Sequence, residues 1–235
     1  MKLLATASHL SRPHLSRPHL SRPHLHAPLV CLFAIALLAQ SFAAQAQRSG
    51  SVGGCDIRRG TLCTNANLNG AQLAGVNLAN SQFTRSDLSG ADLSGATLSE
   101  ANFSSTDVTG TNFNGASMAR INLRNARAVN ATLVEADLRN AVLQNAVLTE
   151  ADLSGATLAN ADLTNARLEG AKLDKADLQR ANLRAAKLKG ASLVGANLQG
   201  AILTRAVLAD ADLSGANLDQ AIFLNAQTDG CTGCP

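Results

Sequence analysis

The chain has 235 residues, of which 46% are hydrophobic, 3% aromatic and 16% charged, with no Trp, no Tyr and a formal net charge of +3 from 20 basic and 17 acidic residues. So small a positive excess does not point to a nucleic-acid partner. All five His (His9, His14, His19, His24, His26) lie in the first 26 residues, so loss of that segment would remove Ser-His-Asp and Cys-His catalysis and His-ligated metal sites together.

The N-terminal segment is chemically unlike the rest. Residues 1–48 carry Lys2, Arg12, Arg17, Arg22 and Arg48 and no acid, which leaves 15 of the basic residues against all 17 acidic ones in residues 49–235. Leu29 to Ala39 is an uncharged apolar run of 11 residues. A bilayer core of about 30 Å needs about 20. Small residues follow at Ala44-Gln45-Ala46. Residues 1–46 therefore read as a secretory signal cleaved after Ala46, leaving an exported chain, periplasmic or extracellular, with no membrane span. The region before the apolar run is long and repeats Ser-Arg-Pro-His-Leu three times (Ser11 to Leu25), as low-complexity sequence or an upstream start codon would. Residues 47–65, with Cys55 and Cys63, read as an N-terminal cap.

From Ala66 to Asn225 the sequence runs with period five and no insertion, giving 32 repeats. The large apolar position, here the centre, is Leu in 25 repeats and Phe in four (Phe83, Phe103, Phe113, Phe223); Val108, Met118 and Ala128 complete the column. Ala stands two residues before the centre in 26 of 32, and Gly or Asn two after it in 20. On an α-helix this period would spiral the Leu column around the whole surface. On a flat strand it would send successive Leu to opposite faces. A chain that turns a corner every five residues hides them all. Four repeats then close a 20-residue coil, with centre and Ala inward and Gly or Asn tolerating φ > 0 at the corners. The expected fold is an all-β solenoid of about eight coils, roughly 38 Å long at the strand spacing of ~4.8 Å.

The motif A-(D/N)-L-x-x, as in Ala91-Asp92-Leu93-Ser94-Gly95 and Ala211-Asp212-Leu213-Ser214-Gly215, resembles the pentapeptide repeat family. The resemblance implies a right-handed quadrilateral β-helix and, for some members, a role as a DNA mimic that binds a topoisomerase.

Centres twenty residues apart should stack. Most of the irregular centres cluster between Phe103 and Ala128, where looser packing or a bend is expected. Asp or Asn precedes the centre in 16 of 32 repeats, suiting turn caps and Asn ladders better than metal ligands. Arg167, Lys172, Arg180, Arg184 and Lys187 belong to a basic run between Arg167 and Lys189 and make a candidate binding surface. Ile202, Val207 and Ile222, with Val142 and Val147, put apolar side chains in the outward column, which suits an oligomer contact or a strip covered by the C-terminal tail.

Residues 226–235 form that tail and carry Cys231 and Cys234. The rod holds the two Cys pairs farther apart than the ~7 Å that a disulfide tolerates between Cα atoms. Cys55–Cys63 and Cys231–Cys234 are the expected bridges, each stapling an end. Cys231-Thr-Gly-Cys234 also allows a thiol redox pair. The leading expectation is a non-catalytic exported scaffold with no cofactor or metal and a protein partner or a second copy bound along its sides. The topoisomerase-binding mimic would require retention in the cytoplasm.

Overall fold

The computed structural model describes residues 50–235. The segment read as an export signal, the cleavage expected after Ala46 and all the His lie outside the described residues.

Every fifth residue from Gly60 to Gly230 takes positive φ, between 53° and 71°. At every corner but that of Cys63 and Ala66 the next amide closes the turn on the centre's carbonyl, as Ala71 N donates to Leu68 O at 3.0 Å. Positive φ at the third position with this closing bond defines a type II turn. Between corners the chain is extended and bonds to the coils on either side. Leu68 N donates to Asp87 O at 2.7 Å, and Asp87 N to Ala66 O at 2.9 Å. Parallel bridges link residue n to n + 20 from Leu62↔Gln82 to Asp212↔Thr232. That pairing gives the coil twenty residues, so the period of five makes four sides, as expected from the sequence. The first side comprises residues 66–70 and the repeats stacked on them at intervals of twenty; the second starts from 71–75, the third from 76–80 and the fourth from 61–65 and 81–85.

One amide per repeat lies outside this ladder, that of the residue after the centre. An Asp or Asn before the centre accepts it, as Asp87 does from Ser89 N (2.9 Å) and Asp92 from Ser94 N (3.0 Å). The Asp/Asn column is thus an Asx-turn column. Its members also bond along the stack, as Asn112 Nδ2 donates to Asp92 Oδ1 at 3.1 Å and Asn217 Nδ2 to Asn197 Oδ1 at 3.2 Å.

The core is the column of centres with the small residues two before them. The region between Phe103 and Ala128 is neither loosened nor bent, contrary to the sequence expectation. Val108 and Ala128 are 0% and 3% exposed. The bridges Asp87↔Asp107, Asp107↔Arg127 and Arg127↔Val147 run through unbroken. Each small centre shares its coil with larger inward side chains. Val108 shares coil 101–120 with Phe103, Phe113 and Met118, and Ala128 shares coil 121–140 with Ile121, which stands where Ala is usual. Phe103 lies 4.9 Å from Phe83 and 6.5 Å, edge-on, from Phe113 between ring centroids.

Both boundaries of the repeat move outwards from those read in the sequence. Thr61-Leu62-Cys63-Thr64-Asn65 already forms a repeat, with Thr61 and Cys63 inward and Leu62 outward. Beyond Asn225, Gln227 bridges Val207 and Thr232 bridges Asp212, so the last residues continue the coil instead of forming a separate tail. The weak signal has a plain cause: Cys63, Thr228 and Gly233 occupy centre positions where Leu or Phe is usual.

Residues 50–60 close the N-terminal end. Strands β1 (Ser51–Val52) and β2 (Cys55–Asp56) pair antiparallel around Gly53 and Gly54, both at positive φ. Gly53 is pressed against the first coil: a Cβ there would lie 2.2 Å from Asn67 O. Val52, Cys55 and Ile57 pack on the core, and Cys63, Leu68, Leu73 and Leu78 in the coil beneath are all buried. Among the described residues no helix is long and apolar enough to cross a membrane.

Candidate interaction surface

The four sides differ in charge. Over residues 66–225 the fourth side carries Arg85, Arg124, Arg184 and Arg205 against Asp162 alone, counting each repeat with its corner residue. The second, on the opposite side of the square, carries five acids (Asp92, Glu135, Asp152, Asp174, Asp212) against Lys172 and Lys175. The first and third are nearly balanced.

These charges are largely unpaired. The ion pairs among the described residues are Arg58–Asp56, Arg120–Glu100, Arg127–Asp107, Arg139–Asp137, Arg167–Glu169 and Lys172–Asp152. None uses a fourth-side arginine. Of the second-side acids only Asp152 has a cation, Lys172 Nζ at 3.9 Å.

The large exposed apolar side chains fall on the same two sides. Leu62 (80% exposed), Ile222 (48%) and Leu224 (63%) are on the fourth, and Val194 (39%) is on the second. Ile202 bridges Ile222 directly, and Val142 lies further along the same side. Val207 and Val147 are on the adjoining first side. Ile202 and Ile222 thus stack on the fourth side, Val207 faces outward from the adjoining first side across the corner at Arg205, and Arg184 stands on the fourth side in the coil before Ile202.

The basic run does not form one patch. Arg167 to Lys187 spans twenty residues, one full circuit of the coil. Arg167 and Lys187 stack on the first side, Lys172 lies on the second, Arg180 at the corner between third and fourth, and Arg184 on the fourth. Arg167 and Lys172 are engaged with Glu169 and Asp152, whereas Arg180, Arg184 and Lys187 form no ion pair with a described residue.

Local chemistry holds several carboxylates ionised. The Ser89 hydroxyl and amide lower the pKa of Asp87, and the Arg139 hydrogen bond lowers that of Asp137. Burial raises Asp162, but hydrogen bonds from Thr164 and Gln144 and the charge of Arg124 bring it below its ordinary value. The Ser214 hydroxyl and amide lower Asp212. None of these carboxylates is set up as a proton donor near neutral pH.

Cys55 is bonded to Cys63 (Cα–Cα 5.5 Å), tying the hairpin to the first coil, and Cys231 to Cys234 (5.8 Å). No basic side chain forms an ion pair or hydrogen bond beside Cys231, and Asp210 lies against Gly230, next in sequence to it. Among the described residues no three His, Cys, Asp or Glu are grouped to hold a metal ion.

A stack of four-sided, twenty-residue parallel coils defines a repeat β-solenoid. The model of pentapeptide repeats matches the chain in 8 copies between residues 61 and 225, and the chain belongs to that family. It is 30% identical to HetL, a pentapeptide repeat protein involved in heterocyst differentiation regulation from the cyanobacterium Nostoc sp. strain PCC 7120, over 83% of this chain and 94% of that one (TM-score 0.41). It is 22% identical to QnrB1, a plasmid-mediated fluoroquinolone resistance protein, over 72% of this chain and 87% of that one (TM-score 0.59). The fold is the right-handed quadrilateral β-helix of these proteins. No curated protein matches the chain.

Proposed function

We propose that the chain is an exported, non-catalytic scaffold that binds protein along its fourth side. The observation that carries this reading is the coincidence there of exposed Ile222 and Leu224 with Arg184 and Arg205, which form no ion pair with a described residue. Apolar groups bordered by unpaired Arg are the chemistry of protein contact surfaces. The 11-residue apolar run before Ala44-Gln45-Ala46 supports export. Two disulfides near opposite ends of the rod suit an oxidising compartment. The described surface is close to neutral and sorted by side, unlike the uniform acidity of a DNA mimic.

The test combines fractionation with site-specific photo-crosslinking. A C-terminally tagged chain should appear outside the cytoplasm with its N-terminus just after Ala46; an unprocessed cytosolic chain would overturn export. A crosslinker at position 202 or 222 should yield protein adducts that one at third-side position 157 does not. Equal adducts from both would remove the fourth side as the binding surface.

A further inference from the structure

We propose that the partner of the fourth side is the second side of another copy of this chain, so that rods associate side by side. This rests on the fourth side being the binding surface and names its occupant. The two sides are complementary in charge. The fourth presents Arg124, Arg184 and Arg205 without ion-pair partners, and the second presents Glu135, Asp174 and Asp212 without a cation. Their apolar groups are complementary too, since Ile222 and Leu224 stand on the fourth and Val194 on the second.

The relief also fits. Of the sixteen corner residues bounding the second side between 66 and 225, eleven are Gly, against only Gly200 of the sixteen bounding the fourth. The backbone does not require this sorting. The same positive φ is taken by Arg85, Glu100, Ser105 and Ala185 elsewhere. At Gly75, Gly95, Gly115 and Gly215 a Cβ would meet nothing within 4 Å. The second side is therefore a flat ledge with low edges that a neighbouring sheet can approach closely, and the fourth is the side with projecting Arg and Leu.

Because the two sides are opposite, the contact is heterologous and does not close on itself. It repeats as a row of parallel rods. A side about 10 Å wide and about 38 Å long buries roughly 400 Å² per copy, below the size of a stable interface. Each contact is therefore weak, dependent on concentration and sensitive to salt.

The test uses charge reversal with residue types the sequence already carries at equivalent positions. One variant, R184E/R205E, makes the fourth side acidic. The other, E135K/D152K, makes the second side basic, as Lys175 and Lys172 do in the same columns. Sedimentation velocity of the folded, oxidised chain at about 20 mM salt should show mass rising with concentration and falling towards monomer at about 0.5 M. Each variant alone should associate at least about tenfold more weakly while keeping the wild-type melting temperature within a few degrees. Mixed together they should associate again, because each side of one variant then meets its opposite charge on the other. A wild-type chain that stays monomeric to millimolar concentration overturns the proposal, as do variants that associate like wild type or fail to recover on mixing. Binding to anionic vesicles without self-association overturns it in favour of a lipid surface. If crosslinks from position 222 to a different protein persist under those conditions, this inference falls and the scaffold reading stands.

Discussion

The Ser86 hydroxyl donates to the carbonyl of Cys63, one coil back, at 2.6 Å. It also accepts the amide of Ala66 at 3.0 Å, so one side chain replaces the turn bond that other corners close for themselves. Thr111 lies equally deep, but its target carbonyl, Leu88 O at 2.8 Å, already receives the Ala91 amide. S86A leaves the part-buried Ala66 N–H and the Cys63 carbonyl without their bridge and should cost about 1–3 kcal/mol, while T111A should cost under about 1 kcal/mol. Denaturant unfolding of both variants checks the order; equal losses would count against a bridging role for Ser86.

The sharing of coil 121–140 by Ala128 and Ile121 gives a second expectation. I121A opens a cavity beside Ala128 and should cost about 2–5 kcal/mol. Adding A128L in that background should recover part of the loss, and A128L alone should destabilise by overpacking. A double-mutant cycle with no coupling between the two positions would mean that the coil does not share its volume in this way.

Ala185 holds φ of 53° at a corner. Left-handed backbone costs an L-residue with a Cβ about 1–2 kcal/mol, and Gly gives back about 0.5–1 kcal/mol of that in unfolded-chain entropy. A185G should therefore stabilise the fold by up to about 1 kcal/mol. Its thermal midpoint against wild type reads this directly.

Asp87, Asp137, Asp162 and Asp212 all titrate below the ordinary value of 3.8 when folded. On acidification the unfolded chain binds protons first, so the stability these groups contribute is present above about pH 3.8 and is lost as pH falls through their folded values. Unfolding free energy should be flat from neutrality to about pH 5 and decline below about pH 4. D137N should shrink that decline. An unchanged acid limb in D137N would show that the Arg139 pair contributes nothing to it.

The solenoid was readable because on a helix or a flat strand period five does not bury Leu73, Leu78, Phe83 and Leu88 together. The ends were harder to see. Thr61-Leu62-Cys63 inverts the usual pattern, with Leu outward and Cys inward, and Thr228 and Gly233 hold centre positions without a large side chain to mark them. Ser86, Thr106 and Thr111 stand where Ala is usual, and in the sequence nothing marks a partner for their hydroxyls. They are satisfied by carbonyls 23 residues earlier, a separation meaningful only once the coil length is known. The candidate surface was half legible. Ile202 and Ile222 stack as their spacing of twenty requires, but neighbours in sequence are not neighbours on this surface, so the basic run disperses around the rod.

A coil of four equal sides makes sequence length a measure of angle. Removing one repeat, such as residues 146–150, would leave every inward Leu facing inward and every ladder bond with a partner. It would also turn everything downstream by a quarter of a revolution, placing Ile202 and Arg184 above a different side of the coils before the cut. Losing four repeats would restore the phase. The chain can thus change length in steps of five and stay folded, whereas any stripe that runs along its length survives only in steps of twenty.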